Sequence, residues 1–287
     1  MGMFDTALNG IIAAAEARRA SEPGHADDYP DADGLLMCGK CHTRKQKVLD
    51  IPCGIGLRVV PVMCRCECIA REEEEARKKA QEEQERIEKL RRVGITTEKY
   101  RYMTMAMDDG GDQKMRSIAE RYVAKRADMF RENIGLMLHG DTGGGKTFWA
   151  AAITNAMIDN GMSAMITTIP QLITAMSKDF EANKYEVLDK IARVGFLVLD
   201  DIGFERQTSY AAEKMYEIID TRYQARRPLI ITTNLSLEEI TNPQQMEYKR
   251  VFDRIVEMCQ PVHVKADGRR KAIARQKSER AREILGL

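Results

Sequence analysis

No apolar run in the sequence approaches the roughly 18 to 20 residues that a bilayer-crossing helix requires. The first residues, MGMFDTALNGIIAAAEARR, have no basic lead and only a short apolar patch before charge appears, which is not the pattern of a secretory leader. A cytoplasmic protein without a membrane partner is the expectation. There is no excess of one charge either: 45 Lys and Arg stand against 44 Asp and Glu, a formal net charge of +1. Any contact with nucleic acid therefore has to come from local clusters of charge. Aromatic residues make up only 6% of the chain, with a single Trp, so rings for stacking single strands are scarce. No internal repeat is evident, and the lack of a recognition-helix motif leaves base-specific readout unsupported.

Cysteine, by contrast, is plentiful and poorly distributed for disulfides. The count of seven is odd, and six of them (Cys38, Cys41, Cys53, Cys64, Cys66, Cys68) fall within one 31-residue stretch. In a reducing compartment such crowding favours a metal site over cross-links. Cys38-x2-Cys41 and Cys64-x-Cys66 form two knuckles separated by 22 residues, and four soft thiolates suit tetrahedral Zn²⁺. The predicted ligands are Cys38, Cys41, Cys64 and Cys66, with a hairpin over KVLDIPCGIGLRVVPVM closing the site. Cys68 and His42 are the substitutes, and Cys53 lies in the intervening loop. An iron-sulfur cluster is the alternative metal group, since it too uses four cysteines. No redox partner site is visible, so zinc is preferred, in a closed site that is structural rather than catalytic.

The length of 287 residues and an apolar fraction of 44% predict one sizeable core plus something smaller. Residues 1–34 read as a helix from Phe4 to Arg19 followed by a linker, SEPGHADDYPDADG. Residues 35–68 form the zinc-binding module. Residues 69–92 read as a charged helical linker, because Arg71 to Arg92 carries eight acidic and eight basic residues and almost nothing apolar. In 93–287 short apolar runs alternate with amphipathic stretches. Gly135 to His139, Ser163 to Ile169, Gly195 to Leu199 and Leu229 to Thr233 read as strands; Thr147 to Asn160, Ile169 to Phe180 and Ser209 to Arg226 read as helices. That alternation predicts an α/β fold, a parallel sheet flanked by helices.

Within it, Gly140-Asp141-Thr142-Gly143-Gly144-Gly145-Lys146-Thr147 matches the phosphate-loop pattern G-x-x-x-x-G-K-[ST] in full, between a predicted strand and a predicted helix. The glycines let the backbone approach the phosphates of ATP or ADP, and the helix N-terminus supplies positive potential. Lys146 reaches the β and γ phosphates, and Thr147 offers its hydroxyl to Mg²⁺. Downstream, the strand Phe196-Leu197-Val198-Leu199 ends in Asp200-Asp201, which places an acidic pair where an open α/β sheet binds nucleotide. Asp200 is expected in the Mg²⁺ shell and Asp201 beside the attacking water. The next strand ends at Asn234, whose amide suits sensing of the γ phosphate. Lys249-Arg250-Val251-Phe252-Asp253-Arg254 sets two arginines four apart on one helical face; Arg250 is the first choice for a finger acting on a neighbouring subunit, Arg254 the second.

Taken together, CGKC with MCRC, GDTGGGKT, FLVLDDIGFER, TSYAAEKMYEIIDTRYQARRPLIITTNLSLEEI and RVFDRIVEMCQPV resemble the DnaC-like bacterial and phage helicase loaders, AAA+ ATPases close to the IstB-type transposition ATPases. The resemblance covers nearly the whole chain, and its cysteine-bearing N-terminus looks like the phage and prophage branch. It implies ATP hydrolysis in an ATP-dependent oligomer, an N-terminal region that docks a replicative DnaB-type helicase hexamer, and placement of that ring on single-stranded DNA. It aligns Arg250 with the family's Arg finger. Many AAA+ proteins carry Glu where Asp201 stands, one methylene shorter, so slow turnover is expected, stimulated by partner or DNA. The family's sensor 2 arginine falls at Arg269 or Arg270, in a segment that lacks the usual Ser and Tyr. From Lys265 onward eight basic residues face three acidic ones, a local excess able to meet DNA phosphates. Two other readings stand beside the loader: a transposition regulator, against which the zinc module argues, and a zinc adaptor using ATP only as a binding switch.

Overall fold

Stretches rich in Leu, Ile and Val bounded by turn residues become strands, and the charged and amphipathic stretches between them become helices. In the computed structural model, residues 27–53, 56–63, 66–177, 180–203, 209–243, 245–265 and 269–286 are described. The helix expected at Phe4 to Arg19 lies outside them. The chain divides into two units, residues 1–84 and 85–287. No helix among the described residues is long and apolar enough to cross a membrane.

The first unit begins earlier than the sequence suggested. Strand β1 (Tyr29–Pro30) pairs antiparallel with β2 (Leu36–Met37), so residues 27–34, expected as linker, belong to the cysteine unit. Aspartates explain why. The Asp31 carboxylate accepts the amide protons of Asp33 and Leu35, both at 2.9 Å, which closes the turn. Asp28 accepts from the Gly39 amide at 3.0 Å and pairs at 2.7 Å with the buried Lys45 ammonium. Burial alone would lower the Lys45 pKa, but Asp28 outweighs it and the net shift is upward. Strands β3 (Gln46–Cys53) and β4 (Gly56–Met63) form the expected hairpin, in register from Gln46 opposite Met63 to Cys53 opposite Gly56. Helix α1 (Glu67–Gly94) follows, supported on its exposed face by ion pairs such as Lys78 to Glu74 at 2.9 Å.

The second unit is built on a five-stranded parallel sheet of β5 (Gly135–His139), β6 (Ala164–Thr167), β7 (Phe196–Ile202), β8 (Leu229–Thr233) and β9 (Cys259–His263), ordered β6-β7-β8-β5-β9. Alternation along the strands divides the core in two. Phe196, Val198 and Ile230 face one cluster with Met115 of α2 (Gln113–Ala124) and Trp149, Ile153 and Met157 of α3 (Lys146–Asp159). Leu197, Leu199, Leu229 and Ile231 face the other, against α4 (Ile169–Ser177), α5 (Phe180–Arg193), α6 (Ser209–Gln224) and α7 (Met246–Met258). Each large side chain so buried contributes roughly 1.5–3 kcal/mol. The chain ends in α8 (Arg269–Leu285).

The second unit also departs from the expected elements. The helix expected from Ile169 to Phe180 ends at Ser177, where α4 completes its buried stripe at Ile169, Leu172 and Met176, and α5 follows from Phe180 where no helix was expected. Strand β7 runs on past Leu199 to Ile202 through a shift in register, with Asp201 in the left-handed region at φ 63°. Strand β9 was not anticipated. It contains Pro261 and is exposed over most of its length, which an edge strand paired only with β5 tolerates.

Arg222 of α6 sets where two central strands begin. Its fully buried guanidinium donates to the carbonyls of Ile191 (2.9 Å), Val194 (2.7 Å), Gly195 (2.6 Å) and Pro228 (2.6 Å), tying the end of α5 to the turns before β7 and β8. Replacing it leaves several carbonyls unsatisfied at about 1–3 kcal/mol each. Arg222→Met should lower stability by about 3 kcal/mol or more, read by urea unfolding through the emission of Trp149, the chain's single Trp. The metal content of the cysteine unit should not change.

Candidate nucleotide site and thiol cluster

The phosphate loop joins β5 to α3 at the carboxyl end of the sheet, where β5 lies between β8 and β9. Gly140 needs to be glycine on two counts: its φ is 134°, and a Cβ there would lie 2.5 Å from the Val264 carbonyl oxygen. Gly145, at φ 86°, caps α3 in the left-handed region and turns the chain into the helix. The rest of the loop, Asp141, Thr142, Gly143 and Gly144, is closed by a 3.4 Å bond from the Gly144 amide to the Asp141 carbonyl.

Lys146 is buried, and its ammonium donates to the carbonyls of Gly140 (2.7 Å) and Asp141 (2.8 Å) and to the Asn234 side-chain oxygen. The Asn234 amide nitrogen in turn donates to Asp201 at 3.4 Å. Lys146, Asn234 and Asp201 are thus linked in a row at the ends of three elements.

Asp200 is buried, whereas Asp201 is exposed. The left-handed turn at Asp201 separates them, sending its carboxylate outward while its amide donates to Thr232 Oγ1 at 2.8 Å. Asp200 Oδ1 accepts from Thr147 (2.9 Å) and Thr232 (2.6 Å), and its Oδ2 accepts from the Tyr100 phenol (2.9 Å). Burial, and then the negative Asp200, push the Tyr100 phenol well above its ordinary range, so it keeps its proton and donates. Tyr100 and Thr232 were missed from sequence: neither lies in a motif, and only the packing of β8 and the segment after α1 brings them here. Burial, then His263 and Lys146, lower the pKa of His139, which keeps that ring neutral beside the loop.

The Thr147 hydroxyl and the Asp200 carboxylate, adjacent hard oxygens beside the phosphate loop, fit Mg²⁺. Arg250 stands exposed on α7, in a groove with Ser209, Glu213, Tyr216 and Met246. Arg254, the second choice, makes contacts within its own chain. It pairs with Asp220 at 2.8 Å and stacks over Tyr216 and Tyr223 at 4.5 and 5.4 Å. Arg269 and Arg270 open α8, and their side chains lie outside the described residues.

In the first unit the sulfurs of Cys38, Cys41, Cys66 and Cys68 all lie within 4.8 Å of one another. The fourth described thiol of the group is that of Cys68, and the expected ligand Cys64 lies outside the described residues. Cys66 immediately precedes α1 and Cys68 sits in its first turn, so the start of the helix folds both thiols to one point. Cys38 and Cys68 are 3.5 Å apart and Cys66 and Cys68 3.3 Å. A tetrahedral ion with bonds of about 2.3 Å to sulfur needs edges of about 3.8 Å, so the set fits one Zn²⁺; a multi-iron cluster would hold its thiolates further apart. His42 is bonded instead to the Tyr29 hydroxyl at 3.0 Å, and Cys53 ends β3. The Thr43 hydroxyl holds the Cys41 thiol down to about 5, whereas burial and the neighbouring thiols push Cys68 up to about 12. A metal bound at Cys68 would therefore displace its proton.

The sequence profile of the family described as IstB-like ATP binding protein matches residues 60–279. The replicative helicase loader DnaC of Escherichia coli K12 is 31% identical over 149 residues, 50% of this chain and 58% of that one. The replicative helicase loader DnaI of Bacillus subtilis 168 is 26% identical over 147 residues, 47% of each chain. The ATP-binding protein of insertion sequence IS1162 from Pseudomonas fluorescens is 30% identical over 162 residues, 55% of this chain and 68% of that one. The chain thus spans about half the length of the two loaders. A crystal structure of the DnaC helicase loader superimposes with a TM-score of 0.50 at 24% identity, over 59% of this chain and 100% of that one, a likeness of fold.

Cys68, which sequence spacing offered as a substitute ligand, is among the four described thiols that meet. Cys68→Ser should lose the bound zinc and Cys64→Ser should keep about one equivalent, measured by elemental analysis of the purified chain.

Proposed function

The chain belongs to the IstB-like ATP-binding protein family, and from that premise we propose that it is an ATP-hydrolysing helicase loader, binding a replicative helicase hexamer and assisting its placement on single-stranded DNA. The observation that carries this reading is a phosphate loop with Lys146, Thr147, Asp200, Asp201 and Asn234 gathered at it on one unit, and a four-thiol cluster on the other. An ATPase with its own metal-held module is suited to gripping a partner with one part and reading nucleotide with the other. The names of the DnaC and DnaI relatives support the helicase as that partner.

In this proposal Lys146 and the loop amides bind the phosphates of ATP, and Mg²⁺ held by Thr147 and Asp200 offsets their charge. Asp201 orients the attacking water and Asn234 links it to Lys146. Arg250, exposed on α7, reaches the site of a neighbouring subunit in an ATP-dependent oligomer. Arg269 or Arg270 contacts the nucleotide from α8, whose basic composition gives DNA phosphates a partner. The short Asp201 side chain makes turnover slow until partner or DNA stimulates it. Zn²⁺ holds the first unit in shape for docking the helicase.

A second reading, a transposition ATPase bridging a transposase and target DNA, is favoured by the insertion-sequence relative. Affinity capture from the host with the tagged full-length chain, ATP and Mg²⁺ separates the two. Recovery of a replicative helicase is the expected result, and recovery of a transposase would replace the first reading with the second. Arg250→Ala should cut turnover by about a thousandfold with nucleotide affinity little changed. Mixing it with Lys146→Ala subunits, which retain Arg250, should restore part of the turnover; no restoration would place Arg250 in its own subunit's site.

A further inference from the structure

The carboxylate of Asp200 is held by more donors than a metal ligand needs for its own sake. Of the three hydroxyls on it, only Thr147 belongs to the phosphate loop, and a Mg²⁺ ion bound there draws the Thr147 oxygen to itself. The other two stay. Thr232 holds Oδ1 at 2.6 Å and Tyr100 holds Oδ2 at 2.9 Å. With one donor on each oxygen, rotation of the carboxylate about its own axis is blocked; with either removed, it is not.

Both donors are themselves fixed. Thr232 is a fully buried residue of β8 whose oxygen also accepts the Asp201 amide at 2.8 Å, so its hydroxyl proton is directed at Asp200. Tyr100 is 1% exposed, and its backbone carbonyl accepts from Asn155 at 2.8 Å. Asn155 lies two turns beyond Thr147 on α3, so the helix that carries the metal-binding hydroxyl also places the phenol opposite it. Around the Tyr100 backbone, Ile95 bridges to Ile166 of β6 and Arg101 donates to the Ile95 carbonyl at 3.2 Å.

We propose that Tyr100 and Thr232 are positioning residues that orient the Asp200 carboxylate for Mg²⁺, acting on the ion only through Asp200. The proposal rests on the nucleotide-site reading above. A hydrogen bond to a buried carboxylate is among the stronger ones, so its loss should be visible in metal affinity while leaving the phosphate loop intact.

Binding of a fluorescent ADP, mant-ADP, to the full-length chain is measured in EDTA and across a MgCl₂ titration. In the parent, affinity should rise with Mg²⁺; no binding, or no response to Mg²⁺, would defeat the nucleotide-site reading itself. With a responsive parent, Tyr100→Phe should raise the Mg²⁺ concentration at half-effect by about five- to tenfold, while affinity in EDTA stays within about twofold. Thr232→Val should shift it in the same direction, and Thr232→Ser, which keeps the hydroxyl, should behave as the parent. An unshifted Mg²⁺ response in Tyr100→Phe, or an equal loss with and without Mg²⁺, overturns the proposal. If Tyr100→Phe does not fold, the Thr232 pair decides by the same criterion.

Discussion

Burying the charge of Asp200 at the end of a central strand constrains everything around it. An ionised carboxylate removed from water is costly unless its oxygens are hydrogen-bonded, and no cation is paired with this one among the described contacts. Hydroxyls from three separate parts of the second unit therefore converge on it: Thr147 at the start of α3, Thr232 within β8, and Tyr100 from the segment before α2. Each of those elements must be in place for the charge to be tolerated. The strand order that puts β8 beside both β7 and β5 is what brings Thr232 within reach of Asp200, and Asn234 within reach of Lys146. The nucleotide site and the folded core are in this sense one structure.

The two units draw on different sources of stability. The second has apolar clusters on both faces of its sheet, with Trp149 and the Ala- and Ile-rich α3 buried on all sides. Among the described residues of the first, the buried set is small: Leu35, Cys38, Cys66 and the paired Lys45. A unit of that size gains little from hydrophobic burial, and a bound metal is the usual replacement. Four thiols within 4.8 Å of one another are a set suited to hold one, and aspartates at positions 28 and 31 complete the turns around them.

The two arginines of α7 show how far a helical pattern can be read. Spacing put Arg250 and Arg254 on one face, yet packing gives them unlike surroundings. Arg254 is enclosed by Asp220, Tyr216 and Tyr223 of α6, and its charge is used where it stands. Arg250, one turn earlier, remains exposed. The cysteines make the same point: spacing offered Cys68 only as a substitute ligand, and the start of α1 brings it into the cluster with Cys66.

What the sequence by itself determined is local and contiguous: the phosphate loop with its flanking strand and helix, the acidic pair at a strand end, the parallel α/β alternation and the crowding of cysteines. In each, the residues that specify the feature are neighbours in the chain, so spacing and composition carry it. Only the tertiary structure decided which hydroxyls hold Asp200, that β9 completes the sheet as an edge, and which thiols meet. Those outcomes depend on residues as much as 100 positions apart, as Tyr100 and Asp200 are. They are fixed by burial: a carboxylate or a backbone carbonyl shut away from water takes whatever donor the packing supplies, and no pattern along the chain records that choice.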